Sequence, residues 1–531
     1  MRLHRESPQT TSASTSQITG QYDTDDTATP GMNLPDINKV GSRIHIVMLS
    51  LIVGLGGLIF GFDIGTLGGM LDLPSFKMAY GDDLSSITPR FLGTTKGILV
   101  GTSSIGGCLG GLITMHIVPP LGPRSTIFLG AISYICGDLV VLFAQVWIQV
   151  VVGRIFNGCA FGIFCVSCPM LISDLAPINI RGRLVSLFQM MVTLGITIGA
   201  VTMFSVDRWV PQNNIFQFRG PMLVNILNCI ILACLIWLVP ESPSWFFRRH
   251  LLIDETRQLI GQIRSLDDRD PSVLMVMESI FLSMGPVDSL ETEETKKLSE
   301  VDIDVEEDDN EMENCSVVRG QPRYFLRTLT GICLLVFQQC SGVNYFFFFG
   351  TSIFAGIVDN SYLVPIFFAV INFTFTFLAT NIVDKFRRTT LLLAGSLTLA
   401  ILMGTFTTIR LLVTGDPICN MVMVVISCMF IAVFAVSWGP TAGVLVSELF
   451  PPTIKVKAMS ISGSVGWVSG FIASVITPTF GKYMGYIFMG SSLLSIAFVY
   501  FLVPETKNLH VDELDELYRV KNYSRKKIRY N

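Results

Sequence analysis

The stretch FQQCSGVNYFFFFG, residues 337–350, sets three carboxamides, Gln338, Gln339 and Asn344, inside an apolar run long enough to cross a bilayer. Amides both donate and accept hydrogen bonds, so such a set suits a neutral polyhydroxyl ligand without the desolvation cost of a charge. Interhelical hydrogen bonding, common for Gln and Asn in membranes, is the alternative reading. On an ideal helix at about 100° per residue, Asn344 lies roughly 120° from Gln338 and 140° from Gln339, so a straight helix cannot aim all three at one ligand. Gly342 lies just before Asn344 and permits local unwinding, which makes it a candidate hinge. Asp63 is the second chemical candidate. A carboxylate deep in an apolar segment is expensive, and it is read either as a carrier of a coupling proton or as one half of a structural pair.

The elements that must position these residues follow from composition. The chain has 531 residues, 50% hydrophobic and only 15% charged, and its mean hydropathy is +0.57. A soluble protein would carry about a quarter charged residues. Apolar segments of roughly 20 residues, the length that spans a bilayer's hydrocarbon, recur about twelve times. They are predicted near 46–70, 95–117, 125–145, 147–170, 184–206, 220–239, 326–354, 361–383, 390–412, 419–446, 457–481 and 484–503. The first 40 or so residues are polar and Ser/Thr-rich and read as a cytosolic tail, neither signal nor span. With that end inside, Arg124, Arg181, Arg183, Lys385, Arg387, Arg388, Lys455 and Lys457 fall in short cytoplasmic loops. The net charge of -4 mixes an acidic loop with a basic C-terminal end and says little about partners. Twelve cysteines are scattered; the one close pair, Cys165 and Cys168, reads as packing, since zinc needs more ligands at defined spacing.

A loop of roughly 85 residues, far longer than most connections, divides the chain six plus six. Its middle, SLETEETKKLSEVDIDVEEDDNEMENC, is acidic and poor in large apolar residues and is expected to stay solvated. Its earlier part, DETRQLIGQIRSLDDRDPSVLMVMESIF, has helical spacing. The halves echo each other: SDLAPINIRGR from Ser173 recurs as SELFPPTIKVK from Ser447, and PESP from Pro240 answers PETK from Pro504. A duplicated six-span unit is the mark of a transporter built from two halves.

Eight motifs in order, GFDIGTLGG, GRIFNGCAFG, RGRLVSLFQMMVTLGITIG, PESPSW, QQCSGVNYFFFFG, INFTFTF, WGPTAGVLVSELFP and PETKNL, resemble the sugar porters of the major facilitator superfamily, and the fungal hexose transporters most, over about residues 45–510. The resemblance implies that spans 1, 4, 7 and 10 line a central cavity. It implies that Gln189, Asn372 and Trp467 join Gln338, Gln339 and Asn344 in contacting sugar. It also implies a cytoplasmic latch of charge pairs, Arg154 with Asp174 or Glu241 and Arg387 or Arg388 with Glu448, flanked by Arg181 and Asp384. The chain departs from the family pattern at Pro119 and Pro123, which damages the first-half latch, and at Ser244. In the cavity, Gly443 stands where many glucose carriers have an aromatic ring, and Gly466 where Asn usually precedes Trp467.

The expectation is therefore an all-α membrane protein with the major facilitator fold, twelve helices in two pseudo-symmetric halves. Its parts would be a tail over 1–43, a six-helix half over 44–240, a cytosolic loop over 241–325, a second half over 326–503 and a cytosolic tail over 504–531. Its expected function is alternating-access transport of a hexose or related polyol, facilitative or proton-coupled. It would act as a monomer in the plasma-membrane bilayer with both termini cytosolic, its partners being the sugar and, if coupled, H+. No cofactor, metal or nucleic acid is expected. The rival is a transporter-like sensor that binds sugar and signals; the short tail after Pro504 favours transport. No His, Cys or carboxylate cluster resembles a catalytic site, which argues against an enzyme.

Overall fold

The computed structural model describes residues 38–81, 93–212, 214–282, 323–354, 361–382, 385–412, 417–450, 454–506 and 518. The expectations for the N-terminal tail, the acidic segment, Asp384 and most of the C-terminal tail lie outside them. Among the described residues the chain is helical, with no strand. The first half contains α1 Arg43–Met70, α2 Pro74–Tyr80, α3 Gly93–Leu121, α4 Pro123–Leu142, α5 Trp147–Leu175, α6 Arg181–Trp209 and α7 Phe216–Leu235. Three shorter helices follow, α8 Pro243–His250, α9 Ile253–Arg264 and α10 Pro271–Leu282. The second half contains α11 Tyr324–Gln339, α12 Val343–Phe354, α13 Leu363–Ile382, α14 Arg388–Leu412, α15 Pro417–Val436, α16 Trp438–Leu449, α17 Lys455–Phe480 and α18 Met484–Leu502.

Eleven helical stretches of the described residues are long and apolar enough to cross a membrane. The last, Lys455–Leu502, has 48 residues. A helix of that length would extend about 72 Å, more than twice a hydrocarbon core of roughly 30 Å. It comprises α17 and α18, separated by the 3-10 turn Gly481–Tyr483, where Gly481 takes φ +53. Among the described residues the apolar crossings are therefore twelve, within a few residues of the predicted segments. Large apolar side chains such as Leu227, Ile401 and Leu494 stay exposed on the outside of the bundle, as lipid contact requires.

Small residues set how closely the helices approach. A Cβ on Gly158 of α5 would come within 2.0 Å of the Ser103 carbonyl on α3, and one on Gly61 of α1 within 1.9 Å of the Val192 carbonyl on α6. Without a hydrophobic drive between helices in lipid, such backbone approach supplies much of the packing. The two halves meet along two seams. On one, α3 packs against α17, where Ser464 donates to the Cys108 carbonyl at 3.0 Å. On the other, α6 packs against α13, where Thr197 donates to the Ala369 carbonyl at 3.1 Å.

Two spans are broken. Between α11 and α12 the chain turns at Cys340–Gly342, and Gly342 takes φ +96, a region open to glycine and strained for other residues. Between α15 and α16 it turns at Ser437, three residues before Pro440, whose ring cannot continue the helical hydrogen bonding.

Candidate functional site

The breaks face one cavity of about 270 Å³ between the halves. Its wall includes every residue expected to contact substrate: Gln189, Gln338, Gln339, Asn344, Asn372 and Trp467. The turn at Gly342 does for α11 and α12 what a straight helix could not, since all three amides of the QQCSGVN stretch reach this space. Their hydrogen bonds leave specific atoms open. Gln338 Nε2 donates to the carbonyls of Trp438 and Gly439, both at 3.1 Å, which ties the two broken spans together and leaves Oε1 without a partner among the described residues. Asn344 Nδ2 donates to Gln339 Oε1 at 2.7 Å, leaving Gln339 Nε2 and Asn344 Oδ1 without a partner among the described residues, on two side chains that line the cavity. Gln189 and the buried Asn372 line it too. Buried in a helix, Asn372 is out of reach for glycosylation, although it begins an Asn-Phe-Thr triplet.

The apolar wall is aromatic. The Trp467 ring meets Phe60 edge-on with centroids 5.5 Å apart, and Phe161, Phe188, Phe347, Phe348 and Phe434 add to it. Of the run Phe346–Phe349, Phe347 and Phe348 reach the cavity, whereas Phe346 packs into α13, α14 and α15 through Phe368, Phe406 and Phe430. A Cβ on Gly443 would meet nothing within 4 Å, so the missing aromatic leaves open space. At Gly466 a Cβ would press Leu335 Cβ at 3.0 Å, so an asparagine there would require that leucine to move.

Asp63 also lines the cavity. Its carboxylate is held in two-point contact by Arg154, with Nη1–Oδ1 2.8 Å and Nη2–Oδ2 2.9 Å, and Tyr134 Oη donates to Oδ1 at 2.9 Å. This corrects the expected pairing of Arg154 with Asp174 or Glu241. Arg154 lies near the start of α5 and Asp174 at its end, about 30 Å apart at 1.5 Å per residue, so the two cannot meet.

The latch motifs instead form one cluster per half, at the end of the bundle that carries α8. In the first half Glu241 accepts from the Arg124 N–H and the Ser242 N–H, both at 3.1 Å, and Ser242 Oγ donates to Asp174 Oδ2 at 2.5 Å. Burial pushes the Glu241 carboxyl up, against the downward pull of those N–H groups and the Arg124 charge. The second half repeats the pattern. Glu505 accepts from the N–H groups of Arg388 and Thr389 at 2.9 and 3.2 Å, Thr506 Oγ1 donates to Glu448 Oε2 at 2.5 Å, and Arg388 Nη2 stands 3.5 Å from Glu448 Oε1. Each glutamate thus accepts at a helix N-terminus, where the aligned peptide dipoles favour an anion. Despite Pro119 and Pro123 the first-half cluster is intact, because Arg124 serves it and the Pro119 carbonyl accepts from Trp245 Nε1 at 2.9 Å. Arg387 is exposed, and Arg181 starts α6 within reach of the Asp174 charge. Ser244 lies in the first turn of α8.

At the opposite end lies a cluster that the motifs did not reveal. Asp72 pairs with Lys96 at 2.7 Å and accepts from Thr351 Oγ1 at 2.6 Å and Ser352 Oγ at 2.7 Å, the last two on α12 of the other half. Burial alone would raise its carboxyl, but the Lys96 charge and the three hydrogen bonds outweigh it and hold Asp72 below the ordinary carboxylate range. A hint lay in the sequence: an acid two residues beyond span 1 that needs a partner.

Twelve crossings, two seams and a central cavity that sets amides against an aromatic wall define a multi-pass membrane transporter of the major facilitator type. The chain belongs to the family described as Sugar (and other) transporter, whose model matches residues 49–518. It is 30% identical over 494 residues to hexose transporter HXT14 of Saccharomyces cerevisiae, covering 90% of this chain and 89% of that one. It is 29% identical over 515 residues to hexose transporter 2 of Kluyveromyces lactis, covering 94% and 87%. Among solved structures it is similar to the xylose transporter XylE of E. coli in a partially occluded inward-open conformation, with TM-score 0.71, 22% identity, and coverage of 88% of this chain and 100% of that one. A second structure, the proton:xylose symporter XylE bound to 6-bromo-6-deoxy-D-glucose, matches with TM-score 0.70 and 22% identity. These relatives are transporters, not enzymes.

Proposed function

We propose that this protein moves a hexose or related polyol across a membrane by alternating access, with the sugar bound in the cavity between the halves. The observation that carries the reading is the set of amide atoms on Gln189, Gln338, Gln339, Asn344 and Asn372 that have no hydrogen-bond partner among the described residues and belong to side chains lining one cavity. Sugar hydroxyls donate and accept in equal measure, and amides answer both needs. Trp467 and its aromatic neighbours supply an apolar face for the ring carbons. The relatives named as hexose transporters and the family match support the same class of cargo.

The excess of Lys and Arg in the loops at the α8 end supports a cytosolic assignment for that end and for both termini; the plasma membrane is the site of action we propose. On that assignment the Asp72 cluster closes the outer face, and the Glu241 and Glu505 clusters brace the cytosolic ends of the two halves. Gly342 is the hinge by which α12 would swing from α1 when the outer face opens. Rigid-body rocking needs contacts modest enough to break each cycle, and hydrogen bonds to Thr351 and Ser352 meet that need.

Uptake of labelled hexoses and polyols into cells lacking their own hexose carriers, with and without a protonophore, tests this reading. Saturable uptake of at least one such sugar is expected. Correct insertion with no uptake of any of them would refute transport; if sugar still bound, a sensor would take its place. Uptake that a protonophore abolishes would mark proton coupling, and insensitive uptake a facilitator.

A further inference from the structure

Beside the Asp63–Arg154 pair lies a second buried carboxylate, Asp138 of α4, only 3% exposed. Asn157 Nδ2 donates to its Oδ1 at 2.8 Å, whereas its Oδ2 has no hydrogen-bond partner. Both groups border a small cavity of about 20 Å³, separate from the central one, walled also by Tyr134, Arg154 and Asn225. That volume holds about one water molecule. Two carboxylates thus stand near one guanidinium that is already in two-point contact with Asp63. The other titratable groups facing Asp138 are Tyr134 on the same helix and Cys229 on α7, neither of which brings positive charge. If both acids were ionised, the cluster would bury a net negative charge, a state that proteins avoid by binding a proton.

We propose that Asp138 is a proton-binding site, its carboxyl un-ionised at neutral pH while Arg154 is held by Asp63. A proton on Oδ2 turns an orphaned acceptor into a donor toward the small cavity and brings the cluster to zero net charge. A metal cation is disfavoured there, because the Arg154 guanidinium forms part of the wall and the space admits no coordination shell. Loss of the proton would set Asp138 against Asp63 for one guanidinium. Asp63 also borders the central cavity, so the protonation of Asp138 would reach the cargo site through a single ion pair. This link to cargo rests on the carrier reading; the proton site does not.

The test is infrared spectroscopy of the full-length protein in lipid nanodiscs as pH is varied, following the C=O stretch of un-ionised carboxylic acids. A band equivalent to one carboxyl is expected at pH 7, lost in Asp138→Asn and kept in Asp270→Asn, which alters an exposed surface acid. In Asp63→Asn the freed Arg154 should draw Asp138 into ionisation, so the same band should vanish although Asp138 is present. Absence of the band at pH 7, its survival in Asp138→Asn, or its survival in Asp63→Asn would each overturn the proposal. So would thermal stabilisation by sodium over choline chloride that Asp138→Asn abolishes. None of these readouts requires sugar transport, so the proton site and the carrier reading stand or fall separately.

Discussion

At the scale of single residues, the central cavity is lined by amides that keep unused hydrogen-bonding capacity. Gln339 is the sharpest case, since its Oε1 is spent on Asn344 and its Nε2 is left for a ligand. Removing one hydrogen bond to a bound neutral ligand costs about 0.5–1.5 kcal/mol, and the loss of its carbonyl also releases Asn344. Gln339→Ala is therefore expected to weaken sugar binding roughly tenfold, which corresponds to about 1.4 kcal/mol. Binding to purified protein by calorimetry checks it, and unchanged affinity would remove Gln339 from the site. Gln338, Gln339 and Asn344 stand out by their types within one apolar run, whereas Gln189 and Asn372 enter only through the family resemblance. The resemblance pairs Arg154 with Asp174, but twenty residues along one helix hold them about 30 Å apart, so the chain's own periodicity excludes that pair.

At the scale of elements, the broken seventh span depends on Gly342. A side chain there would adopt a left-handed backbone, and its Cβ would lie 2.8 Å from Met403 Cε and from the Phe488 ring. Strain of about 1–3 kcal/mol for such a conformation adds to an overpacking cost of similar size. Gly342→Ala is expected to destabilise the protein by about 2–6 kcal/mol on those two terms and to abolish sugar-dependent stabilisation in a thermal melt. A variant that melts and responds to sugar like the wild type would show that the hinge tolerates a side chain. The sequence suggested this bend. The matching break at Ser437 went unforeseen, even though Trp438-Gly439-Pro440 is a poor helix interior; its role in receiving Gln338 appears only when the two spans lie side by side.

At the scale of the whole molecule, the cavity is shut at the Asp72 end by contacts that join the halves. The Asp72 carboxyl is held below its ordinary range, so the stabilisation it gives is complete above the unfolded-state value and is lost only as pH falls through the lowered folded-state value. Closure should survive mild acidification and fail only in strong acid, whereas Asp72→Asn should loosen it at every pH. Modification of a cysteine introduced at Phe348 by a membrane-impermeant thiol reagent reads this: labelling should be slow in the parent down to mildly acidic pH and several-fold faster with Asp72→Asn. Equal rates would exclude Asp72 as a closing contact.

The sequence by itself determined the class of molecule, because bilayer thickness and backbone hydrogen bonding leave an apolar chain with twelve suitable segments little choice but a helical bundle. Its internal echo and its amide set also carried the kind of cargo to propose. The tertiary structure decided which polar groups meet. Asp63 with Arg154, Asp138 beside them, and Asp72 against Thr351 and Ser352 all join helices far apart in the chain. Their partners follow from how close the glycine faces let those helices pack and where each helix breaks, quantities that no local pattern of residues encodes.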